Sequence, residues 1–200
     1  MILQGLRVNY PPNPLSRVKD LIAAARARPG MFRLGNHDPG SFAHLSTIQL
    51  GRLAGVDVQS VNFVGGPESL NALLEGKLDA LIQHPGLVFP KVKTGQVRVL
   101  GVLEEKRSAT FPDAPTLREI GYDLNLGGYV MVIGPRGISS SLRTLLHDAF
   151  KKAMEDPLFL EPMKAKAFDI RYQGPEELKN RLSRDYELNA KLLKAVGLIK

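Results

Sequence analysis

The chain has 200 residues, 44% hydrophobic and 24% charged, with a net charge of +7 and no cysteine. That length allows one large or two small domains with a substantial core, and the composition is that of a globular protein. Disulfides and thiolate metal sites are excluded, and no apolar run approaches the ~18–20 residues a membrane helix needs.

The four histidines, His37, His44, His84 and His147, are scattered without HExxH or His-x-His spacing, so neither a metal nor any other cofactor is expected. Lys and Arg are interleaved with acids along helix faces, without an aromatic-basic RNA motif or a helix-turn-helix. Nucleic acid is therefore not expected as a partner, and a basic balance suits handling of small anions. The opening MILQGLRVNYPPNP lacks the basic start, apolar core and cleavage site of a signal peptide.

Apolar residues from Ile2 to Val8 suggest a strand over 2–10, broken by Pro11, Pro12 and Pro14. Ser16 is expected to cap a helix with Val18, Leu21, Ile22 and Ala25 as its buried stripe and Pro29-Gly30 as its stop. Met31, Phe32 and Leu34 then form a short strand, and residues 35–40 a glycine-bearing turn. A second helix enters through Ser41, with Phe42, Leu45, Ile48 and Leu53 as its stripe and Gly55 at its end.

Residues 56–64 read as a strand, Gly65-Gly66-Pro67 as a turn, and 68–76 as a helix with Leu70, Leu73 and Leu74 inside. Residues 78–82 are a further strand, ending at Gln83-His84-Pro85-Gly86. Such a succession is the signature of a parallel sheet with crossover helices, so the fold class is α/β. Ligands of these sheets sit beyond the carboxyl ends of the strands, which are these three turns. A helix entered through small residues also leaves N–H groups free to hold a carboxylate or phosphate. The candidate ligand-binding residues are accordingly Gly35, Asn36, His37, Gly40 and Ser41, then Gly65 and Gly66, then Gln83 and His84. His44 suits a structural hydrogen bond to the first turn, and His147 a solvated helix face.

Downstream, 97–103 is strand-like, and Thr116 with Glu119 has capping-box spacing before a short helix at 117–120. GGYVMVIGP at 127–135 reads as a buried strand. Helices follow over 139–156, 157–165 and from Pro175 to near Val196, with a strand at 168–172 between the last two. The apolar stripes at 142–154 and 178–196 are expected in the core.

Several stretches carry a family resemblance: PLSRVKDLIAAARARPGMFRLGN, AGVDVQSVNFVGGPESLNALLEGKLDALI, VKTGQVRVLGVLEEKRSATFPDAPTLREIG, GPRGIS and GPEELKNRL. In this order the chain resembles the substrate-binding receptors of tripartite tricarboxylate transporters, the Bug-type extracytoplasmic solute receptors. The resemblance implies a type II periplasmic-binding-protein fold closing on a small carboxylate, delivered to the transporter's membrane components. It places residues 1–126 as the second lobe and 127–200 as the C-terminal, mostly helical part of the first. The chain is then an N-terminally truncated receptor or a remnant, periplasmic by resemblance and cytoplasmic if Met1 is the true start.

Some positions depart from the family. Asn36 and His37 stand where serines are usual, Val64 where Lys or Arg precedes the second glycine turn, and Val130 where Arg often follows the aromatic Tyr129. These exchanges suit a neutral or singly charged ligand better than citrate. The alternatives are an effector-sensing domain of the same fold class, which needs a helix-turn-helix, and a small α/β enzyme. No paired nucleophile and base, and no G-x-S-x-G, supports the enzyme.

Overall fold

A computed structural model describes the backbone of Ile2–Leu6 and residues 15–195 and 197–199. Five strands form one sheet: β1 (Ile2–Leu6), β2 (Arg33–His37), β3 (Gln59–Phe63), β4 (Ala80–Gln83) and β5 (Val97–Val102), in the order β3-β2-β4-β1-β5. β2 runs parallel to β3 and β4, whereas β1 pairs antiparallel with β4 and β5. The α/β class read from the sequence holds, with a mixed sheet. Of the strand expected over 2–10, Ile2–Leu6 forms it and the remainder lies outside the described residues.

Side chains alternate across the sheet as strand geometry requires. Ala80 and Ile82 of β4 face one core and Leu81 faces the other. The first core is completed by α1 (Val18–Ala27) and α2 (Phe42–Ala54), and the second by α3 (Gly66–Leu74) and α4 (Pro85–Lys93). The result is three layers with helices on both faces.

The expected stripe of α1 is buried in full, but its N-terminus differs. Arg17 is the N-cap, and Ser16 donates its hydroxyl and its backbone N–H to the Asp20 carboxylate at 2.7 and 3.0 Å. These donors, the Ser16 hydroxyl foremost, draw the Asp20 pKa down to about 2. In α2 the core-facing set is Ala43, Leu45, Ser46, Thr47, Leu50, Gly51 and Ala54, while Leu53 points outward. Small residues let the helix sit close to the sheet. The buried hydroxyls of Ser46 and Thr47 donate back to the Phe42 and Ala43 carbonyls, so neither is left without a partner. Helix α4, with Pro85, Gly86 and Pro90, has a composition that argues against a helix; Pro85 occupies the first turn, where its missing N–H costs nothing.

The C-terminal third departs most from expectation. Helices α5 (Ser140–Ala153), α6 (Pro157–Ala165) and α7 (Pro175–Ala195) form, but 127–135 and 168–172 are not strands. A strand needs a neighbour for its N–H and C=O groups, and none lies beside 127–135 among the described residues. Val130 is fully exposed there and Ile133 is 80% exposed. Residues 168–172 are instead pinned by side chains: Arg171 donates to the Lys106 and Arg107 carbonyls, and Asp169 accepts from the Ala109 N–H. The stripe of α5, expected in the core, buries no residue: Leu142, Leu145, Leu146 and Phe150 all face solvent. Helix α7 does contribute, burying Leu192 and packing Leu188 and Leu193 against the first core.

Candidate functional site

After β2 the chain passes into α2 on one face of the sheet, whereas after β3 and β4 it passes into α3 and α4 on the other. The crevice opened by such divergence, at the carboxyl end of β2, is where open α/β sheets hold ligands. The sequence-derived candidates lie at the ends of β2 and β4 and in the turns that follow β2, β3 and β4.

In the first turn, Ser41 caps α2. Its oxygen accepts from the His44 N–H at 3.2 Å, and its hydroxyl makes a short bond to the His37 carbonyl. His44 makes the structural bond expected of it, its Nδ1 accepting from the Gly40 N–H at 3.0 Å. Gly40 has φ 81° and Asp38 φ 43°, so the turn is locked in a left-handed bend. Gly35 lies deeper: a Cβ there would sit 2.3 Å from Leu78 Cδ1. Asn36 is fully buried, its amide engaged by β3 through Asn62 Oδ1 at 2.7 Å, the Val61 carbonyl and the Ser60 hydroxyl.

In the second and third turns, Gly66 admits Gln83, whose Nε2 would be 3.0 Å from a Cβ at that position. The Gln83 amide bridges the Ser69 hydroxyl and the His84 N–H at 3.3 and 2.9 Å, and the residue is buried. Neither Gly65, at the start of α3, nor His84, at the start of α4, caps its helix with a side chain.

The two histidines behave differently from the two amides. The His37 and His84 rings lie 5.7 Å apart between centroids at 39°, and neither bonds to another described residue through its ring. Partial burial holds the His84 pKa below the ordinary value, with the His37 ring reinforcing this and the Glu104 carboxylate opposing it. His37 Nδ1 is enclosed without a partner.

One contact set was not legible in the sequence. Tyr129 packs near Phe42 at the start of α2, and the Arg181 guanidinium stacks 4.3 Å over the Tyr129 ring. Arg181 also donates to the Gly127 carbonyl and to Gln173, and pairs with Asp185. This fixture holds Gly128 against the His84 ring, where a methyl would stand 3.6 Å from Cε1. Its only trace in the sequence is the four-residue spacing of Arg181 and Asp185 on α7. His147, expected to be inert, bonds to Asp148 and Tyr172.

The prominent hollows, of about 520 Å3 along α5 and about 450 Å3 between α2 and the start of β3, lie away from these turns. Among the described residues no group of three metal-ligating side chains exists.

A layered sheet whose crossovers diverge in this way is a framework shared by many ligand-binding α/β proteins. The model of the tripartite tricarboxylate transporter family receptor matches residues 5–198, and the chain belongs to that family. A UPF0065 protein in the gbd 5' region of Cupriavidus necator is 30% identical over 94% of this chain and 57% of its own length. Protein BugT of Bordetella pertussis is 25% identical over 95% of this chain and 59% of its own. The chain thus spans under two thirds of either relative.

Among solved structures, a TctC solute-binding protein from Polaromonas superposes with a TM-score of 0.85 at 23% identity, over 97% of this chain and 65% of its own. An R. palustris protein solved with adipate gives 0.76 at 24% identity, over 98% of this chain and 64% of its own. Rhodopseudomonas palustris MatC with bound malate gives 0.72 at 20% identity, over 96% of this chain and 65% of its own. The fold is that of TctC solute-binding proteins.

Proposed function

We propose that the chain captures a small carboxylate-bearing metabolite for a tripartite tricarboxylate transporter, in the periplasm, by closure of two lobes and without covalent chemistry. The observation that carries this reading is the carboxyl end of the sheet: two helix N-termini without side-chain caps and two imidazoles without ring hydrogen bonds to described residues lie at the ends of neighbouring strands. Helix N-termini and neutral N–H donors are ligands for carboxylates. Two structures of the same fold hold adipate and malate. His37, His84, Gly65 and Gly66 face the ligand in this reading; Gly35, Asn36, Gly40, Ser41 and Gln83 hold the turns in shape. Residues 1–126 are the second lobe and 127–200 belong to the first, whose remaining part packs on the exposed side chains of 130–160.

The test is a thermal melt of the chain with adipate, malate and related carboxylates. A ligand at a hundred times its dissociation constant adds ~2.7 kcal/mol, or roughly 5–10 °C at this chain length. A shift by one carboxylate supports capture. No shift across the panel overturns capture of these carboxylates and leaves a remnant or a receptor for a ligand outside the panel.

A further inference from the structure

We propose that His37 and His84 together form a paired-imidazole clamp that holds one carboxylate group of the ligand; this rests on the carboxylate-capture reading above. Of the polar side chains at the ends of β2 and β4, Asn36 and Gln83 are buried with their amides engaged by neighbours. The two imidazoles make no ring hydrogen bond to another described residue. They stand at the ends of adjacent parallel strands, 5.7 Å apart. At that separation the two imidazoles are close enough for both to reach the oxygens of one carboxylate group.

The donor geometry follows from burial. His37 Nδ1 is enclosed and has no acceptor, so in the neutral ring the proton sits on Nε2: an enclosed lone pair is tolerated better than an orphaned N–H. That places the His37 donor on the ring's other edge. His84 is exposed at the start of α4, and the partial burial of its ring favours the neutral form, which also donates one N–H. Gly128, held by the Tyr129–Arg181 stack, limits where the His84 ring can swing. The Arg181 charge is answered by Asp185. The grip is therefore a pair of imidazole N–H donors, fitted to one carboxylate group and not to a cluster of them.

The protein labelled with 15N-histidine is titrated with adipate, and separately with malate, while the imidazole nitrogens are followed by long-range 1H–15N NMR. The expected result is movement of the His37 and His84 signals along one saturating curve, with His147, held by Asp148 and Tyr172, unmoved. His37→Phe and His84→Phe, which keep a ring and remove its nitrogens, should each weaken binding at least tenfold while melting as the parent does without ligand. Binding of either compound with both ring signals still, or with both Phe variants binding as the parent, overturns the clamp and leaves carboxylate capture standing. Failure of the parent to bind either compound overturns both.

Discussion

Ser41 uses its hydroxyl twice within the first turn, accepting from the His44 N–H and donating to the His37 carbonyl. In the proposed binding mode it would act on the ligand only through His37, whose backbone it anchors. Ser41→Ala removes the cap of α2 and should lower stability by about 1–2 kcal/mol, measured by denaturant unfolding. Its effect on carboxylate affinity should be smaller than that of His84→Phe; a larger one would make the hydroxyl a ligand contact. Ser41 was legible because its neighbours make it a cap in any context. Ser16 was not. It stands before a helix in the same way, yet Asp20 attracts the Ser16 N–H and hydroxyl together, and the serine becomes a donor. A lone pair and a proton on the same hydroxyl have no separate mark in a sequence.

An apolar stripe on a helix announces a neighbour without saying where that neighbour is. Leu73 of α3 and Leu145 of α5 look alike in sequence, but Leu73 is fully buried and Leu145 is 65% exposed. Leu73→Ala should cost about 2–5 kcal/mol, whereas Leu145→Ser should change stability by no more than about 0.5 kcal/mol in this chain. Equal losses at the two positions would show that α5 is covered in solution. The strand–turn–helix units from β2 to β4 were legible because each carries its own period, glycine turn and stop within thirty residues. The run at 127–135 has the composition of a strand, but pairing is non-local and depends on a neighbour that it lacks among the described residues. The placement of His37 beside His84 was hidden for a related reason. They are brought together by the pairing of β2 with β4, which the order of elements alone does not fix.

At the scale of the molecule, the sheet and helices α1 to α4 bury their apolar residues on both faces, while 130–160 leaves them in water. Val130, Val132, Ile133, Leu145 and Leu158 are each more than half exposed, on neighbouring elements of one third of the chain. Monomeric proteins rarely leave more than a few hundred Å2 of continuous apolar surface open, because its burial is worth about 25 cal/mol per Å2. The chain on its own should therefore self-associate with rising concentration and bind hydrophobic dyes. Its net charge of +7 opposes association between copies, and salt screens that repulsion while leaving apolar burial intact. Sedimentation should accordingly show larger species at high salt than at low salt. Val132→Lys combined with Leu158→Lys should return the chain to monomer without lowering its melting temperature, since neither side chain supports the sheet. A chain that stays monomeric throughout the micromolar range at high salt and binds no dye would show that these side chains are covered in solution. In that case 127–135 and α5 fold back on the sheet, and the first-lobe assignment of 127–200 fails with them.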